Sequence, residues 1–179
     1  MRHESEITHW RAQWQAALQL WSEHLQLQEP LWLFDIEASR TAGLSDSFAA
    51  IRLTSQRVMV NLQEVTQRGL DDHALEILAH EIGHHVYAPA NMTQHMQLLA
   101  VIRHALPSVE RLAPLVANLC TDLLINHHLQ RNTGCRMDTL YQRLKTDNDD
   151  PLWALYMRIY ERLWQLPSNT LSGAELTSS

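Results

Sequence analysis

Apolar residues along this chain recur at two spacings, and the spacing assigns most of the elements. Over residues 5–28, Trp10, Trp14, Leu18, Trp21 and Leu25 step by three or four, with Gln, Glu and Arg between them. That period predicts an amphipathic helix with a core-facing stripe, closed by Pro30. Residues 31–37 read as a short strand and 38–47 as a loop. Phe48–Leu53 and Arg57–Leu62 are short, apolar and partly β-branched, which predicts a small antiparallel pairing. Gly69 closes a turn, and Asp71 or Asp72 can cap the next helix, Ala74 to about Tyr87, which must end before Pro89. Further helices are expected over Thr93–Ala105, Pro114–Arg131, Met137–Lys145 and Pro151–Leu166. Asp147-Asn148-Asp149-Asp150 reads as an acidic cap for the last of them. Residues 167–179 lack periodicity and read as a flexible tail. The expectation is one domain, 1–166, of α+β class: mostly helical, with a small mixed or antiparallel sheet before the helix at 74–87.

Composition supports the helical bias and removes several function classes. Five Gly and six Pro in 179 residues exclude collagen-like and linker-rich architectures. The net charge is −6, and 13 Arg with a single Lys are scattered, so no nucleic-acid-binding face is expected. No apolar run approaches the roughly 18 residues needed to span a bilayer, and no signal-peptide core follows Met1. Two cysteines cannot build a disulfide framework; Cys120 is expected to pack in the core and Cys135 to be a free loop thiol. A protein of the reducing cytoplasm is the expectation. The 11 histidines, an unusual share, direct attention to metal chemistry.

His80-Glu81-Ile82-Gly83-His84 falls inside the helix predicted at 74–87. Residues four apart share a helix face, so His80 and His84 can point at one ion while Glu81 holds its water. Two histidine ligands and a glutamate base are what zinc-assisted hydrolysis requires. Chance supplies only about 0.04 such matches in a chain of this composition. Gly83 costs roughly 1 kcal/mol of helix propensity against Ala, which calls for a packing or site reason.

A catalytic zinc needs a third protein ligand. Asn118, Asp122 and Asn126 form a polar stripe at i, i+4, i+8 on an otherwise apolar helix. Burying such a stripe is costly without partners, and a metal on His80 and His84 would be one. Asp122 is the natural anionic ligand, with Asn118 and Asn126 orienting ligands from behind.

The runs His-Glu-Ile-Gly-His-His at 80–85 and Asn-x-x-x-Asp-x-x-Ile-Asn at 118–126 resemble a family of predicted bacterial zinc metallopeptidases. Those domains lie N-terminal to von Willebrand factor A-like domains and are associated with MoxR-type AAA+ ATPases. Over residues 57–130 the resemblance implies a zincin-like fold. It also implies Zn2+ held by His80, His84 and Asp122, with Glu81 as base, a peptide or protein substrate, and an ATPase or A-like partner. A chain of 179 residues is too short for the second domain. In the related gluzincins a Glu occupies the position of Asn118. One register therefore puts Asn118 at the metal with Asp122 behind a histidine; the other puts Asp122 on the metal, as in aspzincins. His85 is expected at the surface or behind the ligands. His127, His128, Tyr87, Tyr141, Tyr156 and Tyr160 are weaker candidates for stabilising an oxyanion. The rival function is a non-catalytic, metal-stabilised interaction module working with an ATPase, and the plainest reading is a helical scaffold with no metal.

Overall fold

A computed structural model describes residues 2–44, 47–145 and 150–173. Among these the order is α1 (Arg2–Trp21), β1 (Leu31–Leu33), α2 (Ile36–Ala42), β2 (Ala49–Arg52), β3 (Arg57–Asn61) and α3 (Leu62–Gln67). Then follow α4 (Ala74–Val86), α5 (Met92–Ala105), α6 (Ala113–Asn132), α7 (Met137–Leu144) and α8 (Pro151–Trp164). The fold is α+β and mostly helical, as the periodicity predicts. Its sheet is mixed, in the order β1-β3-β2, with β1 parallel and β2 antiparallel to β3.

α4 is the centre of the molecule. α1 lies along it, burying Trp10, Trp14, Ala17 and Leu18 against Ile77, Leu78 and Ile82. α6 packs on another face of α4, and α8 packs on α6. A smaller core joins Leu99 and Ile102 of α5 to Ala113 and Ala117 of α6.

Several boundaries differ from expectation for local reasons. α1 ends at Trp21 rather than near residue 28, because the Ser22 hydroxyl accepts the His24 N–H (3.1 Å) and offers the backbone an alternative to the helix. Leu25 and Leu27 still pack on the core, from an irregular segment. Over 36–42, expected as the end of a strand and then loop, α2 forms between an Asp35 cap on the Ala38 N–H (2.6 Å) and Gly43 at φ +85°. Asn61 caps the unforeseen α3 in the same way. Neither Asp71 nor Asp72 caps α4 through its side chain; Asp71 instead accepts the Thr66 hydroxyl (2.8 Å). Asp150 caps α8 through the Leu152 N–H, while 147–149 lie outside the described residues.

Cys120 is exposed rather than packed in the core, whereas Cys135 is the expected free thiol in the loop before α7, and it is buried there. Cys120 sits on the outward side of α6, where the apolar neighbours leave an open groove toward α8. The tail also begins later than residue 167. Leu171 is buried, and the Glu161 carboxylate accepts N–H groups from Asn169 (3.3 Å), Leu171 (2.7 Å) and Ser172 (2.9 Å). A buried carboxylate is costly unless satisfied, so the segment that satisfies it is held down. Residues 174–179 lie outside the described set.

Gly83 sits where α4 meets α6. A Cβ there would lie 2.6 Å from Ile125 Cγ2 and 2.8 Å from Trp21 Cζ2. Both neighbours are fixed: Ile125 is fully buried, and the Trp21 indole donates to the Ala79 carbonyl (2.8 Å). The packing reason anticipated for this glycine is therefore present. Gly83→Ala should destabilise by about 1–3 kcal/mol through overpacking, exceeding the roughly 1 kcal/mol of regained helix propensity. Urea unfolding of the variant measures the difference; a gain in stability would contradict the tight contact.

Candidate metal centre

His80 and His84 leave α4 one turn apart on the face turned toward α6 and β2. Their rings meet edge to face with centroids 4.9 Å apart. Asp122 reaches them from α6. Its Oδ1 lies 3.2 Å from His84 Nε2 and 3.7 Å from His80 Nε2. The ligand atoms of the three residues lie within 4.8 Å of one another.

The outer nitrogens are committed elsewhere, and that fixes the inner ones. His80 Nδ1 lies 2.7 Å from Asn126 Oδ1, and His84 Nδ1 lies 3.1 Å from the Ala88 carbonyl. Both partners only accept, so both Nδ1 atoms carry the proton. In the neutral rings each Nε2 then presents a lone pair toward Asp122 Oδ1. Asp122 Oδ2 takes an N–H from Asn118 (2.9 Å), but Oδ1 is buried with no hydrogen-bond partner. Its approach to His84 lacks the angles of a hydrogen bond. Three acceptors thus converge with no donor among them, which is costly unless a cation takes the middle. A tetrahedral zinc about 2.0–2.2 Å from each donor would space them by roughly 3.3–3.5 Å, close to the two distances from Asp122 Oδ1 to the imidazoles. The donor set fits a divalent ion of the zinc type.

Of the two registers open in the sequence, the geometry brings Asp122 to the histidines and sets Asn118 behind it. Asn126 buttresses His80 from a buried position and donates its N–H groups to Tyr141 (2.8 Å) and Tyr160 (2.7 Å). Tyr160 is joined in turn to Tyr156. Burial pushes all three phenols up, so they stay protonated as hydrogen-bonding groups.

Glu81 is buried beside the two histidines. Burial pushes its carboxyl up, opposed by His80, His84 and a hydrogen bond from the Ile51 backbone N–H. That N–H is available because of the sheet register. Asn61 N–H donates to the Phe48 carbonyl (2.8 Å), so residues 48, 50 and 52 pair inward while Ala49 and Ile51 turn their backbone groups outward. β2 is an edge strand, and its outer side forms one wall of a cleft of about 310 Å³. Its other walls include His84, Pro89, His95, Asn118 and Asp122.

His85 is half-buried on α4 and does not line this cleft. His128 stacks on Trp21 (centroids 5.0 Å, 11°) and leans on Tyr87; neither His127 nor His128 lines the cleft. None of the four tyrosines lines it either, so none is placed to meet an oxyanion there. The sequence reading missed His95 on α5, which does line the cleft. Nothing in its local pattern separates it from the other histidines, because α5 reaches the site only through its packing on α6.

No family model, curated protein or solved structure matches this chain.

Two outcomes are expected of this arrangement. Asn126→Leu unties His80 and should lower zinc affinity about 10–100-fold, as loss of a ligand's supporting hydrogen bond does elsewhere; chelator competition reads it. The second concerns pH. Burial pushes the His84 imidazole down, but Asp122 and Glu81 outweigh it and the net shift is upward from 6.5. Metal and proton compete for Nε2, so zinc affinity should begin to fall, with decreasing pH, above 6.5 rather than below it. Affinity measured between pH 5.5 and 8.5 tests the sign, and an onset below 6 would refute it.

Proposed function

We propose that this protein is a zinc-dependent metallopeptidase. The observation that supports it most is the convergence of His80 Nε2, His84 Nε2 and the unpartnered Asp122 Oδ1 beside a buried glutamate at the floor of a cleft. Three protein ligands leave a fourth position for water, the pattern of catalytic zinc. When bound there, zinc lowers the pKa of a water and polarises a carbonyl.

Glu81 takes the proton of the attacking water and passes it to the departing amine. Its raised pKa suits a group that must both accept and return a proton. Asn126 and the Ala88 carbonyl keep both histidines in the tautomer that leaves Nε2 unprotonated. β2, an edge strand along the cleft, suits a substrate in extended conformation, hence a peptide.

The second reading is a metal-stabilised interaction module. It draws on the apolar groove between α6 and α8, formed by Leu119, Leu123, Leu152, Leu155 and Ile159. A MoxR-type ATPase or an A-like protein as partner rests on the resemblance in sequence alone. The cytoplasm is the proposed compartment, in keeping with two free thiols. No helix among the described residues is long and apolar enough to cross a membrane.

Glu81→Gln separates the two readings. It should bind zinc with one equivalent, as wild type does, while cleavage of a denatured-protein pool falls about 10²–10⁴-fold. Wild-type zinc protein that cleaves nothing, with four protein ligands around the ion, would favour the module.

A further inference from the structure

A second, smaller cavity shares His80, Glu81, Ser47 and Ala49 with the cleft and extends to residues of α7. Its volume is about 110 Å³. The remaining walls are carbon: Phe48, Ile77 of α4, and Met137, Leu140 and Leu144 of α7, with the Tyr141 ring. Ile77, Met137, Leu140 and Tyr141 are buried, while Phe48 and Leu144 are half-buried.

Three polar groups at its edge are already committed. The Ser47 hydroxyl donates to the Ala49 carbonyl. The Tyr141 hydroxyl accepts from Asn126. His80 is tied to Asn126 through Nδ1 and turns Nε2 toward Asp122. Away from Glu81, a polar or charged group entering this cavity would lose its water against walls that are mostly carbon. An aliphatic group gains apolar contact with Phe48, Ile77, Met137, Leu140 and Leu144. Size narrows the choice: an apolar cavity of about 150 Å³ accepts benzene, so one of 110 Å³ suits a short branched or linear aliphatic chain and excludes an indole.

We infer that this cavity is a side-chain pocket for the peptide substrate, selecting leucine-, isoleucine- or methionine-sized residues next to the bond that is cut. The inference rests on the peptidase reading for its substrate. The pocket itself can be read independently of catalysis.

Met137 lines the pocket, so its methyl group is a reporter. With ¹³C-methyl-methionine full-length protein loaded with zinc, N-acetyl-leucinamide should shift the Met137 resonance and saturate. N-acetyl-glycinamide and N-acetyl-tryptophanamide should bind at least about tenfold more weakly. Leu144→Phe, at the half-buried mouth, should narrow the pocket and reduce the leucinamide response at least tenfold while the other methionine resonances stay in place. Zinc-loaded wild type should also cut a host peptide carrying Leu beside the scissile bond at least tenfold faster than its Gly or Trp counterparts.

A selective Met137 response without any cleavage would keep the pocket and remove the peptidase reading. Cleavage with no aliphatic preference, or a Met137 resonance equally responsive or equally silent to all three amides, would overturn the pocket and leave the peptidase reading standing on its own test.

Discussion

Everything at the centre depends on how closely α4 and α6 approach each other. A Cβ on Gly83 would collide with Ile125, so the hydrogen at that position is what lets the two helices meet at this distance. Asp122 lies one turn before Ile125 on α6, and His84 lies one residue after Gly83 on α4. The same contact that seals the core therefore sets a carboxylate opposite two imidazoles. Helix propensity at Gly83 is given up for that proximity.

The polar groups around the contact divide into two layers with different electrostatic requirements. The outer layer is paired: Asn126 with His80 and two tyrosines, the Ala88 carbonyl with His84, and Asn118 with Asp122 Oδ2. The inner layer consists of acceptors facing acceptors, and one of them, Asp122 Oδ1, has no hydrogen-bond partner at all. A folded protein rarely leaves such a group unpaired without a use for it. The outer layer removes the alternative of rotating each ligand toward a partner elsewhere. The rings and the carboxylate thus stay preorganised for an ion and for the chemistry proposed beside it.

The elements flanking this centre contribute its openings. Among the described residues no fourth strand covers β2, which stays an edge strand, and its register turns Ala49 and Ile51 outward to the cleft. α7 brings Met137, Leu140 and Leu144 to the second cavity that Glu81 lines. α5 adds His95 to the far wall through its packing on α6.

Much of this was legible in the sequence because it depends on short range. The i, i+4 spacing of His80 and His84 is fixed by helix geometry once residues 74–86 are helical, and the stripe Asn118–Asp122–Asn126 is fixed in the same way. Long elements with strong periods, such as α4, α5 and α6, were readable to within a few residues. Short elements were not: α2 and α3 are set by single caps at Asp35 and Asn61, and the end of α1 by the Ser22 hydroxyl. Spacing also could not choose between Asn118 and Asp122, nor find His95, nor foresee that Glu161 would hold residues 169–172. Each of these depends on the rotation and distance between helices that are far apart in the chain. The sequence determined which residues share a face; only the tertiary packing decided which faces meet, because that is settled by the volumes at contacts such as Gly83 against Ile125.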